Sequence, residues 1–354
     1  MQLSKRLNEI INSIDKTDLL IDVGCDHGYV AIESVHRDIA KRVIAADINS
    51  GPLAIAAKHI VEAGLSDRIS PVLSDGLRGI AGEPVNGNDL VNGTGLISEN
   101  GLISENGLVS ENGLINGIGL VNETGLINEN GLINGTDLVN VTGLINGTED
   151  TKLVIAGMGG GLITDILKGL PTMGSAVETD RELCIRKNVI QFTAGLKAMI
   201  LSPQSEPEIL RHYLIDELCA RIASERYIYD DGKYYVIMTV EPGAEAVCKG
   251  MGKGMGAAAD HVKSAGSLYT IQTAGEAEES AANCAEGAGS LYTEEEYAFG
   301  KNVEADGTFS AYLKQLREVS CAALCMAEKG SSAKALERTE ELKKKIALID
   351  ARLS

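Results

Sequence analysis

The stretch Leu19-Leu20-Ile21-Asp22-Val23-Gly24-Cys25-Asp26-His27-Gly28-Tyr29 decides the fold. An apolar run, an acid, and then two glycines four apart describe a buried strand, a tight turn and the start of a helix, the first loop of a nucleotide-type α/β fold. One glycine admits a backbone conformation closed to residues with side chains, and the other lets a ligand approach the main chain. The middle glycine of a G-x-G-x-x-G fingerprint is absent and no G-K-[ST] follows, so pyrophosphate is not the natural ligand. Asp22, two residues before Gly24, suits a carboxylate that receives the amine of an amino-acid-like ligand.

On either side of this loop the pattern alternates. Strands are expected near 19–24, 42–47 and 69–74, with helices near 3–14, 28–37 and 52–63. Further on come a strand from Lys152 to Ala156, a glycine-rich turn from Gly157 to Gly161 leading into a helix that ends by Gly169, a strand from Ala198 to Ser202 and a helix from Pro207 to Leu218. Two last strands, near Glu225 to Tyr229 and Tyr234 to Glu241, flank the turn Asp231-Gly232. Parallel units that end in a hairpin are expected of the methyltransferase variant of the Rossmann fold.

Two stretches interrupt the pattern. From Asp89 to Thr148 a six-residue unit of the type G-L-I-N-G-T runs through ten copies without a frame slip. Six residues advance a helix by ~600°, so the Leu-Ile pairs would spiral round it and build no apolar face. A β-solenoid is the ordered alternative, although adjacent Leu and Ile point to opposite sides of a strand. After Pro242 the composition shifts to Gly, Ala, Ser and Glu, and Ala-Gly-Ser-Leu-Tyr-Thr occurs at both 265–270 and 288–293. The tail from Ser310 to Leu353 reads as helix broken near Lys329-Gly330, a helical hairpin or short coiled coil packed against itself. The expected organisation is therefore one α/β domain from 1–84 and 151–242, a repeat insertion at 85–150, a low-complexity insertion at 243–291, and a helical region at 292–354.

The 354 residues allow about two domains and carry a formal net charge of −18. Half of that excess lies in 85–150, which holds nine acids and no Lys or Arg. The flanking segments are nearly balanced, so the total does not exclude a nucleic-acid partner. Seven scattered cysteines with no C-x-x-C disfavour a disulfide framework and a zinc site, and the histidines show no metal spacing; no metal is expected. No apolar run is long enough to span a bilayer and no leader peptide is apparent, so the expected location is cytoplasmic, away from membranes. The oligomeric state is left open.

The strand ends carry the chemistry. Asp47, in Asp47-Ile48-Asn49 at the end of the second strand, can accept both hydroxyl protons of a ribose. Asp75-Gly76, at the end of the third, can accept from an adenine amino group. With Asp22, Gly24, Cys25 and Gly28 they outline S-adenosylmethionine from end to end. Taken singly, each acid is equally at home as a helix cap or in a solvated turn. Asp26 and His27 fall beside the cofactor, as groups that face a reacting base or that brace the turn and cap the next helix. Gly157, Met158 and Gly159 form a turn of small residues where a flipped base can approach the backbone.

Ser4-Lys5-Arg6-Leu7, D-V-G-C-D-H-G-Y at 22–29, D-I-N-S-G-P-L at 47–53, S-D-G-L at 74–77, I-A-G-M-G-G at 155–160 and L-S-P-Q at 201–204 together resemble the bacterial tRNA (adenine-22-N1)-methyltransferase family. The resemblance implies a Rossmann-like catalytic domain that uses S-adenosylmethionine, with a C-terminal α-helical coiled-coil region that helps to grip tRNA. The expected activity is methylation of adenine N1 in tRNA. Lys5, Arg6 and Arg78, and Lys343 to Lys345 on the tail, are the candidates for phosphate contact. The two insertions and the segment Pro171 to Leu196 depart from the family pattern. The same residues also allow a non-catalytic binding protein that uses the acidic repeat and the helical tail as a scaffold.

Overall fold

The computed structural model describes residues 3–81, 150–172, 179–243 and 292–354, and between them four short strands in two antiparallel pairs, Leu96–Ser98 with Gly101–Ile103 and Val109–Ser110 with Gly113–Leu114. Apart from those strands, the expected repeat insertion and the low-complexity insertion lie outside the described residues.

The elements run α1 (Lys5–Asn12), β1 (Thr17–Val23), α2 (Tyr29–His36), β2 (Ala40–Asp47), α3 (Ser50–Glu62), β3 (Ile69–Leu73), α4 (Arg78–Ala81), β4 (Thr151–Ala156), α5 (Gly160–Leu167), α6 (Asp180–Gly195), β5 (Ala198–Ser202), α7 (Pro207–His212), β6 (Arg221–Asp230), β7 (Lys233–Glu241), α8 (Glu294–Phe299), α9 (Gly307–Ala327) and α10 (Ala333–Leu353). One seven-stranded sheet has the order β6-β7-β5-β4-β1-β2-β3. Strands β1 to β5 are parallel, and β7 enters antiparallel between β5 and β6. This is a Rossmann-like methyltransferase fold.

Period-two alternation divides the core. Leu19, Ile21 and Val23 of β1 point to a layer with Ile80, Ile163, Ile166, Val189 and Leu210 from α4 to α7. Leu20 points to the other layer, with Ile10, Ile11, Ile32, Leu53 and Ile60 from α1 to α3. Helices cover both faces, which is why β1 reads as an almost unbroken apolar run. Asp22 and Asp47 continue the second face by parity, at the strand ends, where both are buried.

Two elements differ from the sequence reading. Within Pro171 to Leu196 the structure contains α6, capped by Thr179 accepting from the Glu182 N–H at 3.1 Å. Only Val189, Phe192 and Thr193 are fully buried, so its apolar stripe is too narrow to stand out from sequence. The helix expected to Leu218 is α-helical only to His212; the Leu218 N–H bonds the Tyr213 carbonyl and widens the last turn to a π form.

The tail does more than pack on itself. Helices α9 and α10 form an antiparallel pair, with Arg317 and Asp350 in a 2.6 Å ion pair and Leu313 against Ile349. The residues leading into them are seated on the β6 edge through a buried group. Arg211, fully buried on α7, bonds Glu225 at 2.7 Å and the carbonyls of Tyr297 and Ala298 at 2.9 and 3.0 Å. Tyr227 donates to the Phe299 carbonyl at 3.2 Å, and its ring lies 4.7 Å from that of Tyr312. Arg211 thus neutralises the buried Glu225 and reaches across the junction to two carbonyls, while Glu225 Oε1 has no hydrogen-bond partner among the described residues.

Candidate functional site

The loops after β1, β2, β3, β4 and β5 surround a cavity of about 410 Å³. It lies where the strand order reverses between β1 and β4, the position at which open α/β sheets bind ligands. Its first wall is the turn after β1. The N–H groups of Gly24 and Cys25 both bond the Ala46 carbonyl, at 2.8 and 3.0 Å, so β2 holds the turn in place. Gly24 and Gly28 have φ of +76° and +75°, and both need that freedom. Of the two, only Gly24 lines the cavity. A Cβ on Gly24 would lie 2.2 Å from the Met158 terminal methyl, and one on Gly28 would lie 3.2 Å from the Ala56 Cβ. Gly28 does not line the cavity; it lets α2 and α3 pack together.

Asp26 occupies the place of the missing middle glycine and still has a left-handed backbone, with φ +50°. Aspartate tolerates that conformation better than most residues. Its N–H donates to Asp47 Oδ2 at 3.2 Å, and the Asn49 N–H donates to Asp47 Oδ1 at 2.8 Å. Asp47 therefore links the first two loops as well as lining the cavity.

Asp22 is 3% exposed, and its Oδ2 has no hydrogen-bond partner among the described residues. Burial pushes its carboxyl up to about 7, opposed by a hydrogen bond from the Ala31 backbone and reinforced by the Asp47 charge. Burial, then the charges of Asp22, Asp47 and Asp26, push the Cys25 thiol far above its ordinary range, so it serves as an uncharged wall. His27 lines the cavity with a buried Nδ1 that has no hydrogen-bond partner among the described residues, and its Nε2 lies 3.7 Å from Asp26 Oδ2. Tyr29 stacks on His59 at 5.6 Å.

The opposite wall is made by two loops laid together. The Gln204 N–H bonds the Met158 carbonyl at 2.8 Å, and the Gly160 N–H bonds the Ser205 carbonyl at 2.8 Å. A Cβ on Gly160 would sit 2.1 Å from the Glu206 carbonyl oxygen, so only glycine permits this approach. Gly157 and Met158 face the cavity, whereas Gly159 does not: it precedes α5, and its Cβ position faces the Ser205 hydroxyl at 3.0 Å.

Ile48, Asn49 and Gly76 line the cavity as expected, but Asp75 turns away. Its carboxylate accepts from the Thr172 N–H at 3.1 Å and from the Thr172 hydroxyl, while Ser74 and Gly76 reach the cavity in its place. Arg78 is not a surface cation. It is 17% exposed, paired with Glu182 of α6 at 2.6 Å and bonded to the Gly169 carbonyl at 2.7 Å, and it holds the Glu182 carboxyl below its ordinary range. A helix hidden from sequence analysis thus consumes the charge that sequence analysis assigned to RNA. Lys5 is exposed on α1 and outside the cavity. Arg6 lines the cavity, with its guanidinium 4.7 Å from the Tyr235 ring centre and a terminal nitrogen 3.6 Å from a Cβ built on Gly157.

Gln204, Thr172, Leu162 and Ile166 complete the lining and were not singled out from sequence. For Gln204 the signal was present, because it ends the L-S-P-Q motif directly after β5. Among the described residues no helix is long and apolar enough to cross a membrane, and no group of three or more His, Cys, Asp or Glu side chains is placed to hold a metal ion.

Residues 3–102 and 126–238 match the family described as "Methyltransferase domain". Over 77 residues, 22% of the chain, it is 34% identical to the "tRNA (adenine(22)-N(1))-methyltransferase" of Bacillus subtilis (strain 168), a match that spans 32% of that protein. All of the chain is covered by the structure of the B. subtilis tRNA methyltransferase TrmK, at 18% identity and a TM-score of 0.55, with 99% of that structure covered in turn. The structure of M. capricolum TrmK in complex with S-adenosyl-homocysteine is similar at 17% identity and a TM-score of 0.55, covering 100% of this chain and 98% of that one. At these identities the structural likeness speaks for the fold.

Proposed function

The chain belongs to the methyltransferase-domain family, and from that premise we propose that it transfers a methyl group from S-adenosylmethionine to N1 of an adenine in tRNA. The observation that carries this reading is the pair of buried carboxylates, Asp22 and Asp47, at the ends of adjacent strands on one cavity. The cavity fits the cofactor on its own evidence. The unpartnered Asp22 Oδ2 is a buried acceptor in want of a donor, which the amine of a methionyl group provides. In this reading Asp47 accepts from ribose hydroxyls, and Ile48, Asn49 and Gly76, which also line the cavity, form the wall along the base. When bound, the cofactor supplies an electrophilic methyl on a cationic sulfur.

The remaining chemistry asks little of the protein. Adenine N1 carries a free lone pair near neutral pH, so no proton has to be removed before transfer. What the chain has to provide is placement, worth ~7–11 kcal/mol in a well-oriented site, and an environment that accepts the positive charge arriving on the base. Asp26 and His27 have that role in this reading, and Gly157 and Met158 form the surface on which the base lies. Arg6 and Gln204 border the entrance for the substrate, with Lys5 beside them on α1. The substrate assignment is supported by the B. subtilis relative named for that reaction, and it implies a cytoplasmic protein.

The test is methylation of an unmodified bacterial tRNA transcript by the purified full chain, read by mass spectrometry of the digested nucleosides. N1-methyladenosine is the expected product. Absence of methyl transfer under conditions where S-adenosylhomocysteine binds would defeat the enzymatic reading.

A further inference from the structure

A second cavity, of about 510 Å³, opens beside the first between the start of β7, the start of α7 and the C-terminal helical pair. The two cavities share Gln204. They also meet at Arg6, which lines the first and stacks over Tyr235, a wall of the second. We propose that this second cavity binds an unpaired nucleotide of the RNA strand, a neighbour of the base held in the first; the proposal rests on the tRNA reading above.

The chemistry of the walls points to that occupant. Tyr234, Tyr235 and Tyr312 are half-buried and offer aromatic faces, with the Tyr234 and Tyr312 ring centres 5.5 Å apart at 59°. Tyr312 also stacks on Tyr227 at 4.7 Å, Tyr234 meets Tyr229 at 4.8 Å and Arg6 lies over Tyr235, so a base would join this cluster on the sides turned to the cavity. Lys344 and Lys345 stand exposed along the α10 side. Lys344 pairs with Glu294 at 2.9 Å, an exposed contact that a phosphate can displace at little cost. Glu206 and Glu208 line the side at the start of α7, and Glu341, paired with Arg338 at 3.0 Å, lies beside the lysines on α10. The lining thus offers cations to a phosphate and carboxylates to the N–H edge of a base.

A purely apolar ligand has no use for the lysines, and a simple anion has no use for the rings. A nucleotide uses both, and single-stranded RNA is held by stacking on aromatic side chains together with cationic contacts to its backbone. The position also gives the helical pair a defined task. By closing one wall of this cavity, it holds the strand next to the base that is to be methylated.

The experiment compares the full chain with Tyr234→Leu, Tyr234→Phe and the double variant Lys344→Ala/Lys345→Ala. Each is measured for S-adenosylhomocysteine binding by calorimetry, for binding of unmodified tRNA transcript across a salt series, and for methyl transfer. Tyr234→Leu should raise Kd and KM for tRNA by about tenfold, the loss of one stacked base, with cofactor binding unchanged. Tyr234→Phe keeps the ring and should behave as the parent. The lysine variant should lower the salt slope of tRNA binding by about one unit per lysine. The proposal is overturned if the parent methylates tRNA while Tyr234→Leu and the lysine variant match it in Kd and salt slope. Should Tyr234→Leu lose cofactor binding through misfolding, the lysine pair, on exposed positions, decides alone. A parent chain that binds cofactor but neither binds nor methylates tRNA overturns the tRNA reading, and this inference with it.

Discussion

Two glycine turns face each other across the first cavity, and they are built by opposite means. The turn from Asp22 to Gly28 is closed in by side chains from elsewhere, Met158 over Gly24 and Ala56 against Gly28, and it presents two carboxylates, Asp22 and Asp26, with Asp47 of β2 beside them. The turn from Gly157 to Gly160 is closed by backbone: the loop after β5 lies so near that a Cβ on Gly160 would enter the Glu206 carbonyl. It presents no charge of its own. In the proposed reaction, a cationic cofactor would lie on the charged side and a flat neutral base on the other.

Gly160→Ala is the most damaging change expected. The new methyl meets backbone that cannot rotate away, so the two loops have to part, at a cost of about 3 kcal/mol. Urea unfolding should show that loss, with methyl transfer falling further than cofactor binding. An unchanged midpoint would mean that the two loops are not locked.

On the charged side, Asp22→Asn should weaken S-adenosylhomocysteine binding about 10- to 100-fold, the worth of one charge-assisted hydrogen bond. Its pH dependence follows from the raised pKa. In the empty protein the folded chain keeps a proton on Asp22 between its ordinary value of 3.8 and about 7, where the unfolded chain has released it. This contribution to stability is complete below the lower value and is lost as pH rises to the upper one. Binding an amine has the opposite sign, because it requires the carboxylate. Affinity should climb with pH and level off above about 7, and the climb should be missing in Asp22→Asn.

Asp26→Gly separates the two readings of that residue. Glycine adopts the positive φ without strain and keeps the N–H that donates to Asp47. A carboxylate that only braces the turn can be removed without kinetic effect. One that faces the charged product should take about tenfold of kcat with it while leaving cofactor affinity intact. The smallest effect is expected for Asp75→Asn: with the carboxylate engaged by Thr172, cofactor affinity should change by less than about threefold. A larger loss would return Asp75 to the base-binding wall.

The loop from Leu19 to Tyr29 was legible because each of its constraints is local. A strand buried on both faces demands a continuous apolar run, and a tight turn demands residues that tolerate positive φ. The absent middle glycine illustrates the limit. Sequence reading left Asp26 either facing the base or bracing the turn, and the structure adds that it keeps a glycine-like backbone, a property spacing alone does not reveal. Asp75 and Arg78 were misassigned for one reason, since each sits at a strand end where a ligand group is expected and each is claimed by a distant partner, Thr172 or Glu182. Spacing along a chain carries no record of such competition. Helix α6 escaped notice because its buried stripe is narrow, and with it went the reason for the Arg78 contact.

By itself the sequence determined the order of the sheet strands and of most helices, the strand-end acids and the glycine turns, because periodicity and backbone freedom are properties of neighbours in the chain. Only the tertiary structure decided which acids face the cavity, which cation is spent within the fold, and that Gln204 and Arg6 stand between two cavities. Those outcomes depend on contacts across 91 to 104 residues in the case of Arg78 and 224 in the case of Arg6. Each is settled by which groups the packed sheet and helices bring within a few ångströms of one another.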